Sequence, residues 1–131
     1  MKKKIAILGS TGSIGKSIIK ILKRDYKKVE VVLLTTNKNI SELSKQVNFF
    51  KVKNVLITDY IQYLKFKSQF KNRKIRIYND ISLIKKLFPK KIDYTMCSIT
   101  GLDGLQPTLD SIEYSKTVAI ANKESIICAW N

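Results

Sequence analysis

The chain has 131 residues, of which 44% are hydrophobic and 27% are charged, and its formal net charge is +15 at pH 7. This length and composition suit one globular domain and exclude a disordered chain and a membrane-spanning one. Histidine is absent and there are two cysteines, Cys97 and Cys128. A histidine-ligated metal, a Ser-His-Asp triad and a Cys-His pair are therefore excluded within these residues, and both cysteines are interpreted as reduced thiols.

The positive charge comes almost entirely from lysine, since arginine occurs only as Arg24, Arg73 and Arg76. Phosphate clamping and base readout favour the forked guanidinium of arginine, so scattered lysines favour a solvated surface over a nucleic-acid site. A basic nucleic-acid-binding module stays as an alternative. The apolar run at residues 5–8, after a basic start, is too short for the core of a signal peptide, and we therefore place the protein in the cytoplasm.

Apolar runs alternate with helical patterns along the whole chain. They predict strand 4–8, helix 13–24, strand 29–35, helix 41–50, strand 54–57, helix 59–70, strand 74–78, helix 81–88, strand 92–98, helix 105–114 and strand 117–120. Strands that alternate with helices predict the α/β class, with a Rossmann-like doubly wound parallel sheet in three α/β/α layers. We assign residues 1–131 to one such domain.

Three finer features of the helices follow from the same patterns. The first helix is predicted to bury the face that carries Ile14, Ile18, Ile21 and Leu22. Ser41 is predicted to be the N-cap of the second helix. Asn79 is predicted to cap the fourth helix, which Pro89 ends.

A cluster of three glycines, Gly9, Gly12 and Gly15, follows the first strand and overlaps the start of the first helix. In a dinucleotide site the first glycine allows a tight turn, the second lets the backbone approach a pyrophosphate, and the third lets the helix pack on the strand. A P-loop is the competing interpretation, because residues 15–17 match the end of its motif. Ser10 stands where that motif requires its first glycine, so we favour the dinucleotide site.

The end of the second strand indicates which dinucleotide binds. Sites that prefer NAD carry a carboxylate here, which accepts from the ribose 2′-hydroxyl. This strand ends in Thr35, Thr36, Asn37, Lys38 and Asn39, with no carboxylate. One charge-assisted contact from Lys38 to a 2′-phosphate favours NADP over NAD by roughly tenfold to a hundredfold.

Two later segments also leave strands at the ligand edge of the sheet. Residues 98–105 form a glycine-containing crossing where the backbone can pass close to a ring or a pyrophosphate. After the last strand, Asn122 can bond a ribose or an amide, Lys123 can hold a hydroxyl or a phosphate, and Glu124 can accept from a ribose. Alternatively, Asn122 caps a following helix and the two charges are solvated.

Four segments, at residues 7–15, 37–39, 101–108 and 121–125, together resemble the 1-deoxy-D-xylulose 5-phosphate reductoisomerase family. The resemblance implies an NADPH-dependent enzyme that converts 1-deoxy-D-xylulose 5-phosphate, a phosphorylated sugar, into 2-C-methyl-D-erythritol 4-phosphate in non-mevalonate isoprenoid biosynthesis. It also implies a divalent metal, Mg or Mn, and a homodimer. With the glycine turn and the end of strand two, it places the substrate at Lys123 and NADPH at Gly9, Thr11, Gly12, Ser13, Ile14, Thr36, Asn37, Lys38, Asn39, Asn122 and Glu124.

The chain departs from the family pattern in two ways. Asn37 stands where the family commonly has glycine, and we expect the loop to be kept because asparagine tolerates a left-handed backbone. Family members also continue into a catalytic domain with an Asp-x-Glu metal site and a helical carboxyl-terminal domain. We therefore expect an amino-terminal fragment that holds part of the cofactor, carries no catalytic residue or metal ligand, and is inactive alone.

Other enzyme classes fit less well, although another NADP-binding Rossmann domain stays as an alternative. A short-chain reductase would use the pair Tyr63 and Lys67, but these lie in the helix after the third strand, too early to reach a nicotinamide. A semialdehyde dehydrogenase would need a catalytic cysteine in a later region.

Overall fold

The computed structural model describes residues 2–71 and 73–121. The strands are β1 (Lys3–Leu8), β2 (Val29–Thr36), β3 (Asn54–Ile57), β4 (Arg76–Tyr78), β5 (Ile92–Cys97) and β6 (Ser115–Ile120). The helices are α1 (Ser13–Arg24), α2 (Ile40–Phe50), α3 (Tyr60–Gln69), α4 (Ile84–Leu87) and α5 (Leu105–Tyr114), with 3-10 turns Ile81–Leu83 before α4 and Leu102–Gly104 before α5. Every predicted strand is present.

The strands form one parallel sheet in the order β4-β3-β2-β1-β5-β6. β1 lies in the middle and pairs with β2 on one side and with β5 on the other. The chain thus winds outward from β1 in two directions, so the strand order reverses between β1 and β5. This arrangement confirms the predicted doubly wound α/β fold.

Both faces of the sheet are covered, which explains why the strands are continuous apolar runs. Alternate side chains of a strand point to opposite faces. Ile5 and Ile7 pack with side chains of α1, α2 and α3, whereas Ala6 and Leu8 belong to a second cluster that includes Ile84 of α4 and the last residue of α5. Burying a side chain such as Ile7 or Leu8 completely contributes roughly 1.5–3 kcal/mol.

The buried face of α1 differs from the predicted one. Gly15, Ile19 and Leu22 face the sheet, whereas Ile14 and Ile21 are 42% and 58% exposed. The helix is rotated about its axis because Gly15 must face the turn after β1, where no side chain fits. The prediction for Ile14 and Ile21 was therefore wrong, and a close backbone contact decides the face.

Two predicted helix caps are also wrong. Asn39 caps α2 and accepts from the amide of Glu42 at 3.1 Å, so the helix begins at Ile40 and not after Ser41. Before α4 the cap is Asp80, which accepts from the amide of Ser82 at 3.0 Å. The predicted cap Asn79 instead donates its side-chain amide to the carbonyls of residues 57 and 58, which joins the ends of β4 and β3.

Candidate functional site

A cavity of about 510 Å³ opens beyond the carboxyl ends of β1, β2 and β5, where the strand order reverses. Parallel sheets of this type bind their ligands at this place. The turn after β1 and the end of β2 supply one wall, and the loop after β5 supplies another. Five of the predicted cofactor residues line the cavity: Gly9, Thr11, Gly12, Thr36 and Asn37.

The first and third glycines are required by the packing of the turn itself. Gly9 has a φ of +77°, and a Cβ there would lie 3.0 Å from the backbone nitrogen of Ile99. A Cβ on Gly15 would overlap the carbonyl oxygen of Gly9 and lie 2.7 Å from the α-carbon of Ser10. These contacts explain two of the three glycines without any ligand.

The second glycine, Gly12, is not required by packing. Its φ of −75° and ψ of 177° suit any residue, and the nearest atom to an added Cβ is the oxygen of Gly9 at 3.9 Å. Gly12 is the N-cap of α1, no side chain caps this helix end, and its first turn carries no acidic residue. The first amides of a helix lack partners within the helix, so this end of α1 can bind an anion.

Two buried threonines of β2 hold the glycine turn from one side. The side-chain oxygen of Thr35 accepts from the amide of Gly9 at 2.8 Å, and its carbonyl accepts from the amide of Ser10 at 2.9 Å. The hydroxyls of Thr36 and Thr11 form a hydrogen bond of 2.5 Å. The end of β2 therefore fixes both the position of the turn and the side chain of Thr11.

Ser98 holds the same turn from the β5 side. It is 5% exposed, and its hydroxyl bonds the carbonyls of Leu8 at 2.8 Å and Gly9 at 2.9 Å. Its own amide donates to Leu8 as well, which extends the pairing of β1 with β5 by one residue. The glycine turn is thus held by hydrogen bonds from both β2 and the end of β5, the two strands that flank β1.

Asn37 ties the loop after β2 to the next strand. Its side-chain oxygen accepts from the hydroxyl of Thr58 at 2.8 Å, and its carbonyl accepts from the amide of Asp59 at 3.1 Å. Asn37 does not need the left-handed backbone that asparagine tolerates, since Lys51 is the non-glycine residue with positive φ among those described. The loop is held by these hydrogen bonds, with no left-handed residue.

The remaining predicted site residues either do not line the cavity or lie outside the described residues. Ser13 and Ile14 form the exposed first turn of α1, and Lys38 and Asn39 are exposed beside Asn37. The side-chain oxygen of Asn39 is engaged as the cap of α2. Asn122, Lys123 and Glu124 lie outside the described residues, so the structure does not place them.

The sequence matches a known family over almost its whole length. The model of 1-deoxy-D-xylulose 5-phosphate reductoisomerase matches residues 5–130. The chain belongs to the 1-deoxy-D-xylulose 5-phosphate reductoisomerase family. A reductoisomerase of Pelagibacter ubique is 56% identical over 98% of the chain, and one of Phocaeicola vulgatus is 34% identical over the same share. In both cases the chain spans 34% of the relative's length.

Solved structures of reductoisomerases share the fold. The enzyme of Zymomonas mobilis in complex with NADPH matches with a TM-score of 0.89 and 31% identity, over 98% of this chain and 34% of that one. A second reductoisomerase, in complex with magnesium, matches with a TM-score of 0.85 and 25% identity over 98% of this chain. That protein is also about three times longer than this chain, since the match covers 33% of its length.

Several cavity residues of this reductoisomerase-family chain were missed or only partly foreseen from the sequence. Thr58 and Ile81, which follow β3 and β4, were missed, whereas Asp103 lies in the predicted crossing without having been singled out. The available signal was positional, because each follows the carboxyl end of a strand and parallel strands end at one edge. The pair Tyr63 and Lys67 lies on α3 and does not line the cavity.

The cavity carries little charge of its own. Among its described lining residues, only Asp103 has a charged side chain. At the end of β5, burial raises the pKa of the Cys97 thiol, while hydrogen bonding with Ser111 and Thr108 partly opposes this shift. Cys97 is therefore a protonated core thiol at neutral pH.

Within 2–71 and 73–121, no three side chains of Asp, Glu, Cys or His come together as a metal site. In the same ranges, no helix is both long and apolar enough to cross a membrane. All lysines in this part of the chain are exposed, as the interpretation of a solvated basic surface predicts.

Proposed function

We propose that residues 1–131 form the NADPH-binding domain of a 1-deoxy-D-xylulose 5-phosphate reductoisomerase. The enzyme would convert 1-deoxy-D-xylulose 5-phosphate into 2-C-methyl-D-erythritol 4-phosphate in non-mevalonate isoprenoid biosynthesis. One observation carries the proposal: Gly12 leaves open space at an uncapped helix end in a fold shared with a reductoisomerase that binds NADPH. No packing contact of the described residues requires glycine there, whereas close approach of a pyrophosphate would.

The pyrophosphate would bind at the start of α1. Backbone amides of Thr11, Gly12, Ser13 and Ile14 are available there, and the positive end of the helix dipole favours an anion. Thr11 is held by its hydrogen bond to Thr36, and Gly9 by Thr35 and Ser98. The donors are therefore fixed before the ligand arrives, which reduces the entropy lost on binding.

The adenosine end would lie beside the loop after β2. Thr36 and Asn37 line the cavity there, and the exposed Lys38 follows them. A 2′-phosphate would interact with the ammonium group of Lys38, and no carboxylate of this loop would repel it. Asn39 would contribute through its backbone, since its side-chain oxygen caps α2.

The nicotinamide end and the substrate would lie toward β5 and beyond β6. The cofactor, when bound, would provide the hydride that reduces the aldehyde formed by rearrangement of the substrate. The loop at residues 98–100 would form the wall beside the nicotinamide half of the cofactor. Asn122 and Glu124 would contact the cofactor and Lys123 the substrate, as the family resemblance implies. This chain would supply no catalytic residue, and its part would be to bind and orient the cofactor.

The other components of the enzyme would come from outside this chain. A reductoisomerase structure contains magnesium, and we infer a divalent metal, Mg or Mn, for the enzyme. As the family resemblance implies, the ligands of this metal would lie in the part of a full-length relative that this chain does not cover. We also infer a homodimer that acts in the cytoplasm and binds neither nucleic acid nor a membrane.

A fluorescence titration tests the proposal. We expect the 131-residue chain to bind NADPH at least tenfold more tightly than NADH, because Lys38 would contact the 2′-phosphate, which NADH lacks. A chimera that joins this chain to the remaining part of the Pelagibacter ubique reductoisomerase should convert the substrate with NADPH. Tight binding of duplex DNA with a steep salt dependence, and none of NADPH, would favour the basic module instead.

A further inference from the structure

One buried polar side chain touches the glycine turn from behind. Gln46, in α2, is 1% exposed, and its side-chain nitrogen donates to the carbonyl oxygen of Ser10 at 2.9 Å. Ser10 is fully buried and does not line the cavity, whereas its neighbours Gly9 and Thr11 do. Gln46 therefore bonds the interior side of the turn whose other side faces the cavity.

Gln46 is the polar residue on the buried face of α2. Its neighbours on the same face of α2, Leu43 and Val47, belong to the apolar cluster. The other half of the Gln46 amide, its oxygen Oε1, is buried and has no hydrogen-bond partner among the residues described. An unpaired buried polar atom is costly, and an apolar side chain would only move this cost to the buried carbonyl of Ser10, which would lose its donor.

The contact of Gln46 with Ser10 also determines the direction of the next backbone amide, that of Thr11. The bond between Ser10 and Thr11 is trans, so the carbonyl of Ser10 and the amide of Thr11 point in opposite directions. With its carbonyl held toward Gln46, this peptide unit must direct the Thr11 amide away from α2. No described residue accepts a hydrogen bond from that amide, which is left free to bind a ligand.

We propose that Gln46 is a positioning residue that orients the Thr11 amide toward the pyrophosphate of the bound cofactor. The inference rests on the proposed function, because it assumes that the dinucleotide lies in this cavity. The loop that would hold the 2′-phosphate leads directly from Lys38 into α2, the helix that contains Gln46. The two phosphate contacts of the cofactor would thereby keep a fixed spacing.

Two ligands separate this role from a general effect on folding. NADP⁺ contains the pyrophosphate, whereas adenosine 2′-phosphate contains the 2′-phosphate alone. In Gln46→Met, which keeps the shape but not the donor, we expect NADP⁺ affinity to fall about tenfold, while adenosine 2′-phosphate binds as before. Gln69→Met makes the same change at an exposed position of α3 and should alter neither affinity.

The outcomes distinguish the two proposals. Unchanged NADP⁺ affinity in Gln46→Met, or an equal loss for both ligands in this variant, would overturn the role of Gln46 and leave the proposed function standing. No binding of NADP⁺ by the unsubstituted chain would overturn both proposals.

A second measurement needs no substitution at all. Inorganic pyrophosphate added to the ¹⁵N-labelled chain should move the Thr11 amide resonance downfield, among the largest shifts in the spectrum. The side-chain amide of Gln46 should exchange slowly with solvent and keep its position. A Thr11 amide that does not respond to pyrophosphate would contradict the inference, even if Gln46→Met failed to fold.

Discussion

Gly15 lies directly against the turn after β1, so that a methyl group on it would overlap the carbonyl oxygen of Gly9. The same methyl group would lie 2.7 Å from the α-carbon of Ser10. Both neighbours are backbone atoms, and the turn is also bonded to Thr35 and Ser98, so it cannot move aside easily. This contact fixes where α1 begins and which of its faces is buried.

Gly15→Ala should therefore destabilise the domain. We expect the free energy of unfolding to fall by about 3 kcal/mol, at the upper end of the usual cost of overpacking. Urea denaturation followed by circular dichroism measures this change. Gly12→Ala is the matched control and should cost about 1 kcal/mol, the typical loss when alanine replaces a favourable N-cap residue, because its methyl group meets no close neighbour. Equal losses in both variants would refute the distinction between the two glycines.

Gly12→Ala should instead impair ligand binding. The added methyl group would occupy the open space at the start of α1, where we place the pyrophosphate. We expect the affinity for NADPH and for NADH to fall by at least about tenfold each, because both contain the pyrophosphate. Fluorescence titration of the folded variant measures this. Unchanged affinity would mean that the pyrophosphate binds elsewhere.

Lys38→Met should remove the preference for NADPH. Loss of a charge-assisted contact to the 2′-phosphate predicts an affinity for NADPH that is roughly tenfold to a hundredfold lower, with NADH binding unchanged. Lys45→Met, an exposed lysine of α2, is the control for the loss of one positive charge. The same titration compares the two variants. If both variants lose NADPH affinity equally, the effect comes from the general field of the protein.

Asp93 makes a pH-dependent contribution to the free energy of unfolding. The amide of Lys4 donates to its carboxylate at 2.8 Å, and this bond, with a smaller effect of Lys116, lowers the pKa of Asp93 below its usual 3.8. A lowered pKa in the folded state stabilises the fold above pH 3.8, and this contribution disappears as the pH falls through the folded-state value.

We therefore expect Asp93→Asn to melt at a lower temperature than the unsubstituted chain near neutral pH. The difference should shrink in acid and vanish once both forms carry an uncharged side chain. Differential scanning fluorimetry over a pH series measures it. A difference in melting temperature that stays constant from neutral to strongly acidic pH would exclude a role for the charge.

The strands and their arrangement could be predicted from the sequence because their signal is local. A strand buried on both faces is a continuous apolar run, as residues 5–8 are. The face of α1 could not be predicted in this way, because apolar residues at 14, 18, 19, 21 and 22 allow more than one buried face. The contact of Gly15 with Gly9, in the turn directly before α1, makes the choice, and the apolar pattern of the helix does not contain it.

The site was predictable where it follows one strand and not where several strands converge. The glycine turn and the end of β2 have local signatures, and their residues line the cavity. Thr58 and Ile81 have no such signature, because only the strand order brings the ends of β3 and β4 beside Asn37. Gln46 was missed for a related reason, since its partner Ser10 is 36 residues away in the sequence.

The clamp that Ser98 places on the glycine turn has a consequence for the order in which the protein forms. Its partners Leu8 and Gly9 precede it by 90 and 89 residues, and β5 must be in place before these bonds can exist. During synthesis the turn leaves the ribosome among the first residues, yet it lacks the support of Ser98 until 89 further residues have followed Gly9. A growing chain therefore acquires the complete cofactor-binding turn only after β5 has joined the sheet.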